Sequence, residues 1–75
     1  MSGYDINIAF GEILRRFRKG RKYSQAMFAE EILGMDATYY GRIERGEHSI
    51  SIEKCQQIAE ALNIRVVDLF QDLPD

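Results

Sequence analysis

Residues 35–47, MDATYYGRIERGE, crowd hydroxyl, guanidinium and carboxylate groups into about three and a half turns of helix. A helical period that turns Tyr40 and Ile43 inward leaves Thr38, Tyr39, Arg42 and Arg45 on the outside. Threonine both donates and accepts hydrogen bonds, and arginine presents a planar fork that matches a phosphate or the edge of a guanine. This is recognition chemistry. Catalysis has no comparable basis, because no pair of titratable residues converges with a nucleophile and 75 residues leave little room for a cleft. Cys55 and His48 are two possible ligands without partners, so neither a metal nor another cofactor is expected. Cys55, the single cysteine, lies on an apolar stripe and reads as core.

The net charge of -2 argues at first against a polyanionic partner, but its distribution reverses that impression. Arg15, Arg16, Arg18, Lys19, Arg21 and Lys22 supply six of the ten basic residues, and Arg42 and Arg45 add two more. From Gly46 onward acidic residues dominate, which leaves the second half free to serve something other than an anion, such as a second subunit. The composition, 45% hydrophobic and 29% charged, suits one small globular domain over residues 1–75, with its core at about 6–71 and loosely held ends. No apolar run approaches the ~18 residues of a membrane span, and the start lacks a signal-peptide pattern. A cytoplasmic protein without membrane contact or an evident small-molecule ligand is expected.

The elements that must position these residues are helices. Ile6, Phe10, Ile13, Leu14 and Phe17 recur at helical spacing, predicting a first helix over 5–19 closed by Gly20. Ser24 is an N-cap for SQAMFAEEIL, with Phe28, Ala29 and Ile32 as the apolar stripe and Gly34 as a left-handed C-cap. Asp36 caps a third helix that runs to about Arg45 and is ended by Gly46. Ser51 caps SIEKCQQIAEAL, whose stripe is Ile52, Cys55, Ile58, Ala59 and Leu62. A short last helix, about Val66 to Gln71, presents more apolar surface than docking needs, so Ile64, Val66, Val67, Leu69 and Phe70 are candidates for a subunit interface. Five helices without a convincing strand predict an all-α fold.

Helices two and three are joined by a few residues centred on Gly34, the spacing of a helix-turn-helix. In such a unit the second helix enters the major groove while the first crosses the backbone. The stretch YSQAMFAEEILGMDATYYGRIERGEHSISIEKCQQIAEALNIRVVDLF resembles the Cro/C1-type, XRE-like helix-turn-helix family of transcriptional regulators. It is similar to the small controller-like proteins of restriction-modification systems, in which a D-x-T-Y stretch leads into I-E-R-G. The likeness runs from about Ile13 to Phe70 and rests on the S-Q start, the glycine turn, I-E-R-G and the S-I-E…I-A-E-A-L-N-I tail.

That resemblance implies a five-helix lambda-repressor-like domain and a role for each matching residue. Gln25 would bind a phosphate, while Ala37, Thr38 and Arg42 would read base edges. Tyr39, Arg45, His48 and Ser49 would meet the DNA backbone. Arg18 and Glu44 would form an inward ion pair, and Tyr40 fills a position where the family has an aliphatic core residue. Family members of this size bind near-palindromic operators as homodimers, so a repressor-type regulator of double-stranded DNA is expected. A protein-interaction module or antitoxin-like partner is the alternative, raised by the acidic net charge and by Ala37. Two features depart from the family pattern. Ala29 and Gly34 enclose four residues, EEIL, where three are usual, which requires a longer second helix or a bulge. Ala37 replaces a long polar side chain and Gly41 lies mid-helix, where glycine costs about 1 kcal/mol relative to alanine.

Overall fold

Gly11 decides how closely the first and third helices meet. A Cβ at this position would stand 2.7 Å from the Ile43 carbonyl oxygen and would collide with the Glu44 carbonyl, so the two backbones are in contact at this crossing. The computed structural model that reveals this describes residues 5–74; the looser ends expected from the sequence fall partly on residues 1–4 and 75, outside the described residues. The described residues form five helices: α1 (Ile6–Gly20), α2 (Met27–Ile32), α3 (Ala37–Glu44), α4 (Ile52–Leu62) and α5 (Val66–Phe70). Among the described residues there is no strand.

Local chemistry sets the ends of these helices. Asp5 accepts from the Asn7 and Ile8 amides, Asp36 from the Tyr39 amide, and Ser51 from the Lys54 amide, each satisfying donors that a helix start leaves open. The exits use left-handed residues. Gly46 (φ +76) ends α3, with its own amide donating to the Ile43 carbonyl and the Glu47 amide to that of Arg42. At α1 the left-handed position is taken by Lys22 (φ 62) rather than by Gly20, which is the last helical residue. Lys22 and Tyr23 then donate to the Lys19 and Arg18 carbonyls in the same pattern.

The extra residue between Ala29 and Gly34 is absorbed as a π-helix. Ser24 caps the start through the Met27 amide, and the chain then widens over Met27–Ile32, with the Leu33 amide donating to Phe28 five residues back. The inward stripe shifts accordingly. Phe28 and Ala29 are fully buried, but Leu33 fills the next inward position and Ile32, expected there, is 37% exposed. Gln57 of α4 donates to the Leu33 carbonyl, satisfying an acceptor at the end of the widened turn.

Phe28, Tyr40, Ile58 and Leu69 sit at the centre of a core that all five helices share. Phe28 meets Tyr40 edge-on at 5.6 Å and stacks on Tyr23 at 5.6 Å. The α4 stripe is buried at Cys55, Ile58, Ala59 and Leu62, whereas Ile52, in the first turn, is 73% exposed. Ile6 is likewise exposed at the start of α1, so each of these two stripes is shorter at its start than its sequence period suggests.

Two substitutions should act in opposite directions. Gly11→Ala forces α1 away from α3 and should lower the unfolding free energy by about 1–3 kcal/mol. Lys22→Gly relieves a left-handed side chain and, after the added entropy of the unfolded chain, should raise it by about 0.5–1 kcal/mol. Urea denaturation followed by circular dichroism reads both. A Gly11→Ala protein as stable as the parent would show that the crossing is not limited by this contact.

Candidate nucleic-acid interface

With its inner face taken up by Tyr40, Gly41, Ile43 and Glu44, α3 leaves one edge open. Thr38 and Arg42 are exposed on it, and Ala37 and Tyr39 are half-buried. Gln25, from the start of the second helix, joins Ala37, Thr38, Gly41 and Arg45 around an open groove of about 320 Å³. The structure therefore brings these five residues to one surface. A Cβ at Gly41 would lie 3.2 Å from Gln25 Oε1 and 3.1 Å from an Arg45 guanidinium nitrogen, so a larger residue there would displace both side-chain ends by a few tenths of an ångström. Gln25 donates through Nε2 to Glu44 Oε1 at 3.0 Å, leaving its second amide hydrogen for another acceptor.

Beneath that edge lies an ion pair. Arg18 Nε donates to Glu44 Oε2 at 2.7 Å and Nη2 to Oε1 at 3.1 Å, while Nη1 donates to the Tyr23 carbonyl at 2.8 Å. Both residues are 6% exposed. Burial pushes the Glu44 carboxyl toward a higher pKa, but Arg18 first, then the Tyr40 hydroxyl and Gln25, outweigh it and hold the group below the ordinary glutamate value. The same contact with Glu44 raises the Arg18 guanidinium further. Tyr40 lies alongside, its buried hydroxyl near the Glu44 carboxylate but outside good hydrogen-bond geometry. Burial, and next the Glu44 carboxylate, push that phenol far above its usual pKa.

The end of α3 holds two further pairs. Arg45 Nε donates to Glu47 Oε2 at 2.9 Å and Nη2 to Oε1 at 3.4 Å, with both side chains 53% exposed. The Tyr39 and His48 rings meet edge to face at 5.0 Å, and His48 Nδ1 lies 3.0 Å from the Ser49 carbonyl oxygen. Sequence reasoning missed Glu47 and Gly11. Glu47 follows Arg45 by two residues across a glycine, a spacing that signals a turn but not which side chains it joins. Gly11 had no local signal at all, since its role depends on a helix some thirty positions away.

At the far end, α5 corrects one expectation. Leu69, proposed from the sequence for a subunit interface, is 0% exposed and anchors its short helix in the protein's own core. Phe70 is half-buried, stacked on Phe10 at 5.2 Å; Ile64 and Val66 are also half-buried, and Val67 is 52% exposed. Among the described residues no cluster of His, Cys, Asp or Glu could hold a metal ion, and no helix is long and apolar enough to cross a membrane.

Comparison with known proteins places these features in a wider set. A family model described as helix-turn-helix matches residues 14–69. The chain is 39% identical over 70 residues to the control protein C.MunI from a Mycoplasma species, covering 92% of this chain and 93% of that one. It is 35% identical over 65 residues to the control protein C.SmaI of Serratia marcescens, covering 87% and 76%. Among solved structures, the restriction-modification controller protein C.AhdI from Aeromonas hydrophila superposes with a TM-score of 0.82 at 33% identity, over 89% of this chain and 100% of that one.

The buried pair makes stability depend on pH. Because the folded Glu44 value lies below the ordinary 4.5, its stabilisation is present above that pH and is lost as pH falls through the lower folded value. Arg18→Leu should cost about 3–5 kcal/mol at neutral pH by stranding the carboxylate, and should flatten the acid limb of the stability profile. Denaturation measured across pH reads both effects. Parental stability in this variant would show that the pair contributes no more than an exposed one.

Proposed function

The chain belongs to the helix-turn-helix family, and on that premise we propose that it is a DNA-binding transcriptional regulator of the controller type, acting as a homodimer on a near-palindromic operator. One observation carries the reading. The edge of α3 that the core does not consume bears Thr38, Arg42 and Arg45, side chains suited to base edges and phosphates, and Gln25 shares a groove with Thr38 and Arg45. The likeness to control proteins along nearly the whole chain supports a regulatory rather than an enzymatic role.

In this reading α3 lies in the major groove. Arg42 takes a guanine edge in a bidentate fashion, Thr38 accepts, donates or touches a thymine methyl, and Ala37 offers apolar contact alone. Gln25, Tyr39, Arg45, His48 and Ser49 hold the backbone on either side and set register without selecting sequence. One such helix gives modest affinity, so two protomers are needed, with half-sites about 10 bp apart or a simple multiple of that. The pairing surface is Ile64, Val66, Val67 and the exposed part of Phe70. We place the protein in the cytoplasm, where its duplex would be.

Selection of binding sites from random duplex DNA, with the oligomeric state measured alongside, tests the proposal directly. Arg42→Ala should then weaken operator binding by about 1–3 kcal/mol and relax one base position, with circular dichroism showing an intact fold. Unchanged affinity would remove Arg42 from the reading set. A protein that ignores every duplex at low ionic strength would refute the function as a whole.

A further inference from the structure

We propose that Glu47 is a built-in competitor for the DNA backbone, gripping the Arg45 guanidinium as a phosphate would and so lowering the affinity of the α3 edge for duplex in general. This rests on the DNA-binding reading above and concerns how the same surface is regulated. The two Glu47 oxygens meet Nε and Nη2 of Arg45 side by side, the fork geometry that an arginine also offers to a phosphate. Glu47 is fixed in this place by its backbone: Gly46 turns the chain, and the Glu47 amide donates to the Arg42 carbonyl at 2.8 Å. Its carboxylate also answers to a base-reading residue. Hydrogen bonds from Arg45, followed by the charges of Arg45 and Arg42, hold it below the usual glutamate range.

Exposure separates this pair from the one beneath it. An ion pair half open to water adds little to stability, so it exchanges partners readily. A phosphate reaching Arg45 must displace a carboxylate that then remains beside it as a like charge. The penalty falls on backbone contact, which every duplex provides, and not on the base contacts of Thr38. The operator meets the same penalty, so the ratio of affinities stays with the base-reading residues, while binding to arbitrary sequence, weaker at the outset, falls below useful occupancy first.

Glu47→Gln keeps the side-chain size and removes the charge. Fluorescence anisotropy titrations of a short random-sequence duplex, repeated over a salt series, should show binding about three- to tenfold tighter than the parent. The slope of log affinity against log salt should steepen by about 1, because Arg45, no longer neutralised by Glu47, then displaces a cation from a DNA phosphate. In an Arg45→Ala background the same change should have no such effect on affinity or slope, and thermal melting should show equal stability for parent and Glu47→Gln. Equal or weaker binding by Glu47→Gln, or a gain that persists without Arg45, overturns the inference while leaving the DNA-binding reading intact if the parent itself binds. Failure of both proteins to bind at low ionic strength overturns the two together.

Discussion

The paired charges of Arg18 and Glu44 are the constraint on which the remaining architecture depends. Removing both from water is costly, and the cost is offset only because nearly every donor and lone pair is used: Glu44 by Arg18 and Gln25, Arg18 also by the Tyr23 carbonyl. Those bonds reach α1, the α1–α2 connection, the start of the second helix and α3 at once. A shift of α1 or α3 would leave a buried charge without its partner, and a shift of the other two would open a buried hydrogen bond to the pair. The orientation of α3, and with it the direction of its open edge, is therefore set by electrostatics inside the protein. The Tyr40 hydroxyl lies beside the pair without a well-formed hydrogen bond, and its ring packs edge-on against Phe28.

Close approach of backbones is the second requirement, and it explains a residue that looks unfavourable in isolation. Gly11 lets the α1 backbone touch that of α3, whereas Gly41 meets only the side-chain ends of Gln25 and Arg45. The π-turn serves the same end. By placing Phe28 and Leu33 inward five residues apart, it takes up the extra residue while the chain still turns at Gly34 and re-enters a helix at Ala37. A regular helix of that length would carry Ile32 inward instead.

Charge must be judged by location. The basic cluster of the first helix is partly consumed by the fold, since Arg18 is buried and Arg21 donates to the Leu62 carbonyl while lying over the Phe17 ring. Arg45 faces outward but is paired with Glu47. The net charge of -2 and the count of ten basic residues thus say little about the field at the α3 edge, where Arg42 and Arg45 stand beside one carboxylate.

The sequence by itself determined the helices, several of their caps and most of their inward residues, Ile6, Ile32 and Ile52 excepted, because these depend on neighbours a few positions apart: Ser24, Asp36 and Ser51 at starts, Gly34 and Gly46 at exits, Tyr40 and Ile43 facing the core. The family likeness carried the helix-turn-helix and the choice of Arg18 as partner for Glu44. Only the tertiary structure decided that the extra residue becomes a π-turn, that Lys22 rather than Gly20 takes the left-handed position, that Leu69 belongs to the core, and that Glu47 reaches back to Arg45. Each of these is settled by what fits against residues distant in the chain or across a turn, where space and charge satisfaction overrule local preference and leave no periodic trace to be read.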